Sequence, residues 1–376
     1  MAEEIDAVVA GHICLDIIPT FSPTAQLSEF RPGALYPVGP ALRSTGGAVA
    51  NTGLALHRLG LRVALMGKVG DDLFGRDIHD LIGKHGSALT SGMKISPGET
   101  SSYTVVISPP GIDRTFLHCP GCNDTFTAKD LNDTVLARAR VLHLGYPPLM
   151  RSMYGDGGGE LLAILRRAKA LGLGTSLDMA FPDPSSEAGG VDWQALLKRV
   201  LPAVDVFVPS IEELLFMLDR PTWDTLMQKG RIAIAQDITR AMLRELSDRL
   251  IAMGVAVVMI KLGDQGAYLR TTPDVQRIKA MGRLVPVDAA GWVGCEAVEG
   301  CFAVEVVGTT GSGDCTIAGL LAGLLRGLAA REALRLAVAV GACSVEQADA
   351  TSGVPAVKMV EQRIAGGWGR RKSTLA

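Results

Sequence analysis

The sequence has little net charge and few aromatic residues. Its 376 residues include 37 lysines and arginines against 39 aspartates and glutamates, which gives a formal net charge of −2. Nucleic-acid-binding domains normally carry a clustered basic excess, so we expect no nucleic-acid partner. Aromatic residues make up 5% of the chain, and they offer no obvious platform on which a nucleobase could stack.

Targeting and membrane signals are also missing. The residues after Met1 are acidic where a signal peptide would be basic. The very apolar stretch 318–345 is interrupted by charges such as Arg326 and Arg331, so we predict two buried helices rather than a membrane span. Seven cysteines, an odd number, without an export signal predict reduced thiols. We therefore expect a cytoplasmic protein with no membrane partner, and a solvated basic end at 369–372.

What the sequence does contain is an α/β pattern. A hydrophobic content of 48% allows a large core, in one big domain or two smaller ones. From residue 141 onward, strands alternate with helices: strands at 141–144, 175–178, 204–208 and 255–260, and helices at 160–171, 193–201 and 238–253. This alternation is typical of a parallel sheet covered on both faces. Earlier strands lack helices between them, and a hairpin at 103–108 and 115–118 predicts a small separate sheet.

A glycine-rich segment, Gly-Thr-Thr-Gly-Ser-Gly-Asp at 308–314, opens an apolar helix. Such a turn aims backbone N–H groups and the helix dipole at a phosphate. The spacing approaches the P-loop pattern, but Asp314 stands where that pattern requires Lys. A carboxylate there makes sense if Asp314 accepts the proton of an attacking hydroxyl while the loop amides hold the transferring phosphoryl group. The alternative is an ordinary helix N-cap.

A second glycine site precedes another predicted helix. Gly46 and Gly47 lack a Cβ, which lets a bulky ligand approach the backbone. Asn51, one turn further on, offers a donor and an acceptor to a polyhydroxylated ligand. The helix is expected to end at Leu59, with Gly60 in the left-handed position that follows it.

Together these segments resemble the two signatures of the ribokinase, or PfkB, family of carbohydrate and nucleoside kinases. One signature runs over 46–75 and the other over 308–314, in the family's order, and the resemblance covers about 6–354. It implies one ribokinase-like α/β domain over 1–376, with a mostly parallel central sheet and helices on both faces. It also implies a small β lid formed by about 13–40 and 98–122, through which a homodimer could form.

The resemblance implies an ATP-dependent kinase that transfers the γ-phosphoryl group to a primary hydroxyl of a sugar or sugar-like molecule. Asp314 matches the catalytic base, and we expect the helix N-terminus to lower its pKa. The amides of Gly311, Ser312 and Gly313 match the anion hole. The substrate-binding positions are Asp16, Gly46, Gly47, Asn51 and Arg114. By itself, Asp16 also suits a surface turn, and Arg114 a solvated edge charge.

For the nucleotide and its metal, the resemblance implies further positions. Lys261, Gly263, Gly266 and Thr309 match the nucleotide-binding segments, and Lys261 replaces a usual Thr with a cation that could contact phosphate. Glu213 matches the residue that orients a hydrated Mg²⁺, although Ser210 replaces the motif's Asn. Gly308 replaces an Asp that in many members helps to hold a monovalent cation, which makes activation by such a cation doubtful.

Other functions compete with this interpretation. A nucleoside kinase of the same family is the first alternative, and a non-catalytic sugar- or nucleotide-binding sensor is the second. Asp314 and the complete Gly311–Gly313 loop argue against the sensor. A dinucleotide-dependent oxidoreductase is excluded because the first strand and turn lack the G-x-G-x-x-G fingerprint. The segment 291–302 is predicted to be an added hairpin or loop, with no role assigned.

Overall fold

The computed structural model describes residues 4–22, 32–109, 115–230, 234, 237–373 and 375. The strands are β1 (Ile5–Gly11), β2 (Cys14–Pro19), β3 (Ala41–Gly46), β4 (Val63–Met66), β5 (Lys68–Gly70), β6 (Lys94–Ser96), β7 (Tyr103–Ile107), β8 (Thr115–Cys119), β9 (Ala139–Gly145), β10 (Gly174–Leu177), β11 (Val206–Phe207), β12 (Val257–Lys261), β13 (Ala267–Thr271) and β14 (Glu296–Glu299). The α-helices span Ala48–Arg58, Leu73–Gly83, Asp133–Leu136, Arg151–Tyr154, Gly159–Ala170, Trp193–Val200, Ile211–Leu218, Arg220–Gln228, Arg240–Ala252, Val275–Lys279, Ser312–Leu325, Ala330–Ser344 and Val357–Ala365.

A large sheet forms the centre of the fold, with strand order β14-β13-β12-β11-β10-β9-β1-β4 among the described residues. The pairs from β12 to β4 are parallel, and β13 and β14 add an antiparallel edge. Side chains of β1 alternate between two core clusters, with Val9 in one and Val8 in the other. Both faces are therefore buried, which explains why the strands are continuous apolar runs. The predicted, mostly parallel sheet is confirmed.

A smaller sheet has the order β3-β2-β7-β8. Its β7 and β8 form the predicted antiparallel hairpin. The second predicted lid segment, 98–122, contains both strands. The first segment, 13–40, was too short, because β2 pairs antiparallel with β3 and that pairing carries the sheet on to Gly46. Residues 23–31 and 110–114 of these segments, including Arg114, lie outside the described part of the chain.

The segment 291–302 is not the added hairpin or loop that the sequence suggested. It contributes β14, which pairs antiparallel with β13 and forms an edge of the central sheet. Trp292 and Ala297 are buried in the core, whereas Glu296 faces outward and binds Arg244 and Arg270. A strand at a sheet edge can alternate apolar and charged residues in this way. This strand has only 4 residues, so its alternation was too short to be recognised in the sequence.

Three helices bring the two glycine-rich segments together. Ser312–Leu325 and Ala330–Ser344 pack closely because Gly319 and Gly323 face Ala337 and Ala333, where added Cβ atoms would clash. Ala48–Arg58 packs on the other side of Ser312–Leu325. The two buried helices predicted for 318–345 are confirmed, and in the described ranges no helix is both long and apolar enough to cross a membrane.

Candidate active site

Asp314 lies where the N-terminal ends of two helices meet. It occupies the first turn of Ser312–Leu325 and is 2% exposed. Its Oδ2 accepts hydrogen bonds from Asn51 Nδ2 at 3.0 Å and from Tyr146 Oη at 2.7 Å. Its Oδ1 accepts a hydrogen bond from Thr52 Oγ1 at 3.3 Å. The carboxylate is therefore held in one orientation by residues far away in the sequence, and the simple N-cap alternative does not describe it.

The expected direction of the Asp314 pKa is wrong. Burial raises the pKa of Asp314 above its ordinary value, and the hydrogen bonds from Tyr146, Asn51 and Thr52, with the charge of Lys261, offset only part of that effect. The helix N-terminus acts in the opposite direction but is outweighed, because removing a carboxylate from water disfavours its charged form strongly. Sequence reasoning weighed the helix dipole without knowing how deeply the group is buried.

Tyr146 is the contact to Asp314 that the sequence did not reveal. It follows the end of β9 and has a left-handed backbone conformation with φ 65. Among the described residues, no other non-glycine residue has a positive φ. Backbone strain of this kind persists where surrounding structure enforces it, and it concentrates at functional sites. The available signal was position alone: Tyr146 lies at the carboxyl end of a parallel strand, immediately before two prolines.

A buried ion pair lies beside Asp314. Lys261 Nζ is 2.6 Å from Asp178 Oδ1, and the other oxygen of Asp178 is buried without a hydrogen-bond partner among the described residues. Burial raises the pKa of Asp178 well above its ordinary value, with Glu213 and Asp314 adding to the rise and Lys261 opposing it. Burial opposes the charge on Lys261, but Asp178 and Glu213 keep its pKa raised. Lys261 is thus paired with Asp178 and also lies in the electrostatic field of Glu213 and Asp314.

Glu213 occupies the first turn of Ile211–Leu218 and is 8% exposed. Its Oε2 accepts a hydrogen bond from Ser210 N at 2.7 Å, and Ser210 Oγ accepts one from Glu213 N at 3.3 Å. This reciprocal capping box gives Glu213 a structural role whatever else it does. Although Ser210 replaces the Asn of the family motif, it still caps the start of this helix.

The predicted nucleotide-binding residues are brought together. Lys261, Gly263, Gly266 and Thr309 all line one cavity of about 240 Å³, together with Ser312 and Gly313 of the glycine-rich loop. A Cβ placed on Gly313 would lie 3.7 Å from Lys261 Nζ, so the ammonium group adjoins the loop. The lining also includes the aliphatic residues Val338, Ala342 and Val345. The cavity therefore offers both polar and apolar groups to a ligand.

Asp16 lies on β2, against the twin glycines. A Cβ on Gly46 would lie 2.4 Å from Asp16 Oδ2, and Gly47 has φ 86, a conformation that favours glycine. Burial raises the pKa of Asp16 to about 6, although hydrogen bonds from Cys14 and Thr104 oppose the rise. The alternative of a surface turn is wrong for this residue. Asn51 turns instead to Asp314, so the predicted substrate residues do not all contact one another.

Two histidines that the sequence reasoning gave no role in binding extend the Asp16 site. Thr104 Oγ1 lies 2.9 Å from His118 Nδ1, and His118 Nε2 lies 3.3 Å from His12 Nε2. Burial and the neighbouring His118 lower the pKa of His12 to about 3, and burial lowers that of His118. Both rings are therefore neutral at physiological pH, which leaves Asp16 as the charged group of this network.

Comparison with known proteins identifies the family. The profile described as pfkB family carbohydrate kinase matches residues 14–357, most of the chain. The chain belongs to this family. It is thus a carbohydrate kinase, a phosphotransferase with an alcohol group as acceptor, and the resemblance inferred from the two glycine-rich signatures is confirmed.

Individual relatives of this kinase are distant but match over nearly their full length. A probable fructokinase-4 of Arabidopsis thaliana is 24% identical over 366 residues, 95% of each chain. The crystal structure of Xylella fastidiosa fructokinase with bound ATP superposes with a TM-score of 0.70 at 19% identity, covering 96% of this chain and 98% of that one. The Arabidopsis thaliana ribokinase complexed with ribose and ATP gives 0.69 at 18% identity, with coverages of 96% and 98%. The predicted ribokinase-like fold is confirmed.

The contribution of the Lys261–Asp178 ion pair can be tested by measuring the free energy of unfolding. Replacing Lys261 with Met should lower the free energy of unfolding by about 3–5 kcal/mol, because one partner of a buried pair remains uncompensated. Without the ammonium group, the pKa of Asp178 should rise still further above 3.8. A folded-state pKa above the unfolded-state value stabilises the protein fully below the unfolded-state value, and this contribution is lost as pH rises through the folded-state pKa. Chemical denaturation at several pH values should therefore show the variant losing more stability toward high pH than the wild type.

The matched control is the double variant Lys261→Met with Asp178→Asn, which removes both charges. It should recover part of the lost stability, and its stability should depend less steeply on pH than that of Lys261→Met. A Lys261→Met protein with wild-type stability at every pH would contradict the proposed charge balance.

Proposed function

We propose that this kinase transfers the γ-phosphoryl group of ATP to a primary hydroxyl of a sugar or sugar-like molecule, with Asp314 as the base. The observation that carries the proposal is the placement of Asp314: a buried carboxylate, fixed by three donors, at a helix N-terminus, next to Gly313 of the cavity lining and bonded to Asn51 of the helix that follows the twin glycines. A base must be oriented toward the proton that it accepts, and these contacts supply that orientation.

The glycine-rich loop would stabilise the charge on the transferring group. The first N–H groups of a helix have no carbonyl partner within it, and those of Gly311, Ser312 and Gly313 lie at the start of Ser312–Leu325, where Ser312 N also donates to Thr309 O at 3.3 Å. Gly311 has φ 70, and a Cβ there would lie 2.5 Å from Ala350 Cβ, so the loop conformation depends on glycine. Amides preorganised in this way stabilise developing negative charge in phosphoryl transfer.

ATP fits the cavity on chemical grounds. The aliphatic lining residues suit a flat base, and Lys261 beside Gly313 suits phosphates. Mg²⁺ would supply positive charge that helps neutralise the phosphates, and the excess of buried carboxylate around Lys261 favours a cation nearby. Glu213 would orient the hydrated metal. A required monovalent cation has less support, since Gly308 supplies no carboxylate. A Cβ on Gly308 would lie 2.9 Å from the carbonyl oxygens of Gln347 and Ala348, so an Asp would not fit there without a shift.

The acceptor would bind beside Asp16, Gly46 and Gly47, where a carboxylate can accept hydrogen bonds from sugar hydroxyls. The fructokinase and ribokinase relatives support a sugar rather than a nucleoside. A homodimer through the small sheet stays a prediction. Leu42, Phe116 and Leu117 are the exposed apolar residues of that sheet which such a contact would cover.

Replacing Asp314 with Asn tests the base. We expect kcat to fall by about 10²–10⁴-fold, the usual contribution of a general base, while the affinity for ADP changes little. Steady-state kinetics and calorimetry measure the two effects. The control is Glu332→Gln, which should leave kcat unchanged. Glu332 is an acidic residue in the equivalent first turn of the neighbouring helix Ala330–Ser344. Near-wild-type turnover by the Asp314 variant would disprove the assignment.

Replacing Asp16 with Asn tests the acceptor site. Hydrogen bonds to an ionised group are worth about 1.5–3 kcal/mol, so acceptor affinity should fall by about 10–100-fold while ADP affinity is retained. In the wild type, Asp16 should become protonated as pH falls through about 6, which weakens acceptor binding, and the variant should lack this dependence. Asp77→Asn, which alters a surface carboxylate paired with Arg43, is the control. A larger loss of ADP affinity than of acceptor affinity would mean that the two halves of the site are interchanged.

Replacing Glu213 with Gln tests the metal role. Loss of a residue that orients a metal's ligands typically weakens metal binding by about 10–100-fold, so more Mg²⁺ should be needed for the half-maximal rate. Gln can still accept the hydrogen bond from Ser210 N, so the capping box is retained. Titration of the rate with Mg²⁺ measures the effect, with Glu212→Gln in the same helical turn as control. If the Mg²⁺ requirement is unchanged, Glu213 serves only to begin the helix.

A further inference from the structure

The C-terminal segment 368–371, here called the strap, forms part of the nucleotide cavity. After Val357–Ala365 the chain runs antiparallel to residues 301–303: Ala303 N donates to Gly369 O at 2.8 Å, and Arg371 N donates to Cys301 O at 2.9 Å. Cys301 and Phe302, which receive the strap, and Arg371 of the strap itself all line the cavity. Residues 369–372 are exposed, as the sequence-based expectation of a solvated end requires, but these hydrogen bonds hold the backbone of the strap in place.

Aromatic stacking fixes the strap in place. The rings of Trp368 and Phe302 stack with centroids 4.3 Å apart, and Trp368 Nε1 donates to Ala303 O at 2.9 Å. The guanidinium of Arg370 lies 3.5 Å from the centroid of the Phe302 ring and donates to Gly300 O at 2.9 Å. Arg370 also forms an ion pair with Glu299. These contacts hold the backbone of the strap against the cavity wall before any ligand arrives.

Arg371 differs from its neighbour Arg370. Its guanidinium lines the cavity and pairs with Asp264 at the long distance of 3.8 Å, where the two side chains are 47% and 55% exposed. A long, exposed ion pair contributes little and is easily exchanged for another partner. Arg371 is thus a positioned cation, on a fixed backbone, whose side chain can turn to a ligand.

We propose that Arg371 binds the nucleotide, closing the cavity over it from the side of the strap. This inference rests on the proposed function, since it requires that the cavity take ATP. A planar guanidinium can cover the face of a purine or pair with a phosphate, and both chemistries belong to the same ligand. The aliphatic residues Val338, Ala342 and Val345 line the same cavity. The nucleotide then contacts both these residues and the strap.

Calorimetry of ADP binding to Arg371→Ala tests the proposal without depending on turnover. We expect ADP affinity to fall by about three- to thirtyfold, the range of a cation–π or phosphate contact. Lys372→Ala is the matched control, because it removes the same charge one residue further on, at a side chain that does not line the cavity. Arg371→Lys should show an intermediate loss, since it keeps the charge but not the planar group.

Adenosine, used beside ADP, locates the contact. Equal losses for both ligands place Arg371 on the base or ribose, and a loss for ADP alone places it on a phosphate. Unchanged ADP affinity in Arg371→Ala, or an equal loss in Lys372→Ala, overturns the proposal. A wild-type protein that binds no ADP would instead disprove the proposed function, so the two failures are distinguishable. Unliganded melting temperatures should match between Arg371→Ala and wild type, which shows that the strap itself persists.

Discussion

The site is organised around the hydrogen bonds that Asp314 accepts. Asn51 and Thr52 come from the helix that follows the twin glycines, and Tyr146 comes from the end of β9. Three segments that are distant in the chain are thereby joined at one carboxylate. A buried carboxylate without these donors would be costly, and the donors without their acceptor would be equally unsatisfied. The close packing of Ser312–Leu325 against its neighbours makes the meeting of these groups possible.

Charge imposes the second constraint. Asp178, Glu213 and Asp314 act electrostatically on Lys261, and together they exceed its single positive charge. A fold that buries such an excess gives up stability, and retaining it makes sense where a positively charged partner completes the balance. The Asp16 network, in contrast, contains neutral histidines. The surroundings of Asp16 and of Lys261 therefore differ in electrostatic character.

The sequence predicted those parts of the site that local patterns encode. Glycine spacing located Asp314 and the loop, and strand–helix alternation predicted the central sheet. It did not reveal Tyr146 or Asp178, because each follows a different parallel strand and only the strand order brings them together. It also gave the wrong direction for the pKa of Asp314, since burial depends on the whole packed core. The pairing of β14 and of the strap was also missed, because their partners lie far away in the chain.

The number of hydrogen-bond acceptor positions on Asp314 indicates which of its oxygens would accept the proton in the proposed mechanism. An ionised carboxylate offers about four lone-pair positions, two on each oxygen. Asn51 and Tyr146 occupy both positions on Oδ2, and Thr52 occupies one on Oδ1. In the proposed mechanism, the remaining position on Oδ1 is the one that can receive the acceptor's hydroxyl proton. The donors on Oδ2 stabilise the charged form before transfer, so they work against the burial that raises the pKa of Asp314. The fixed donors thus determine both which oxygen reacts and how strongly it attracts the proton.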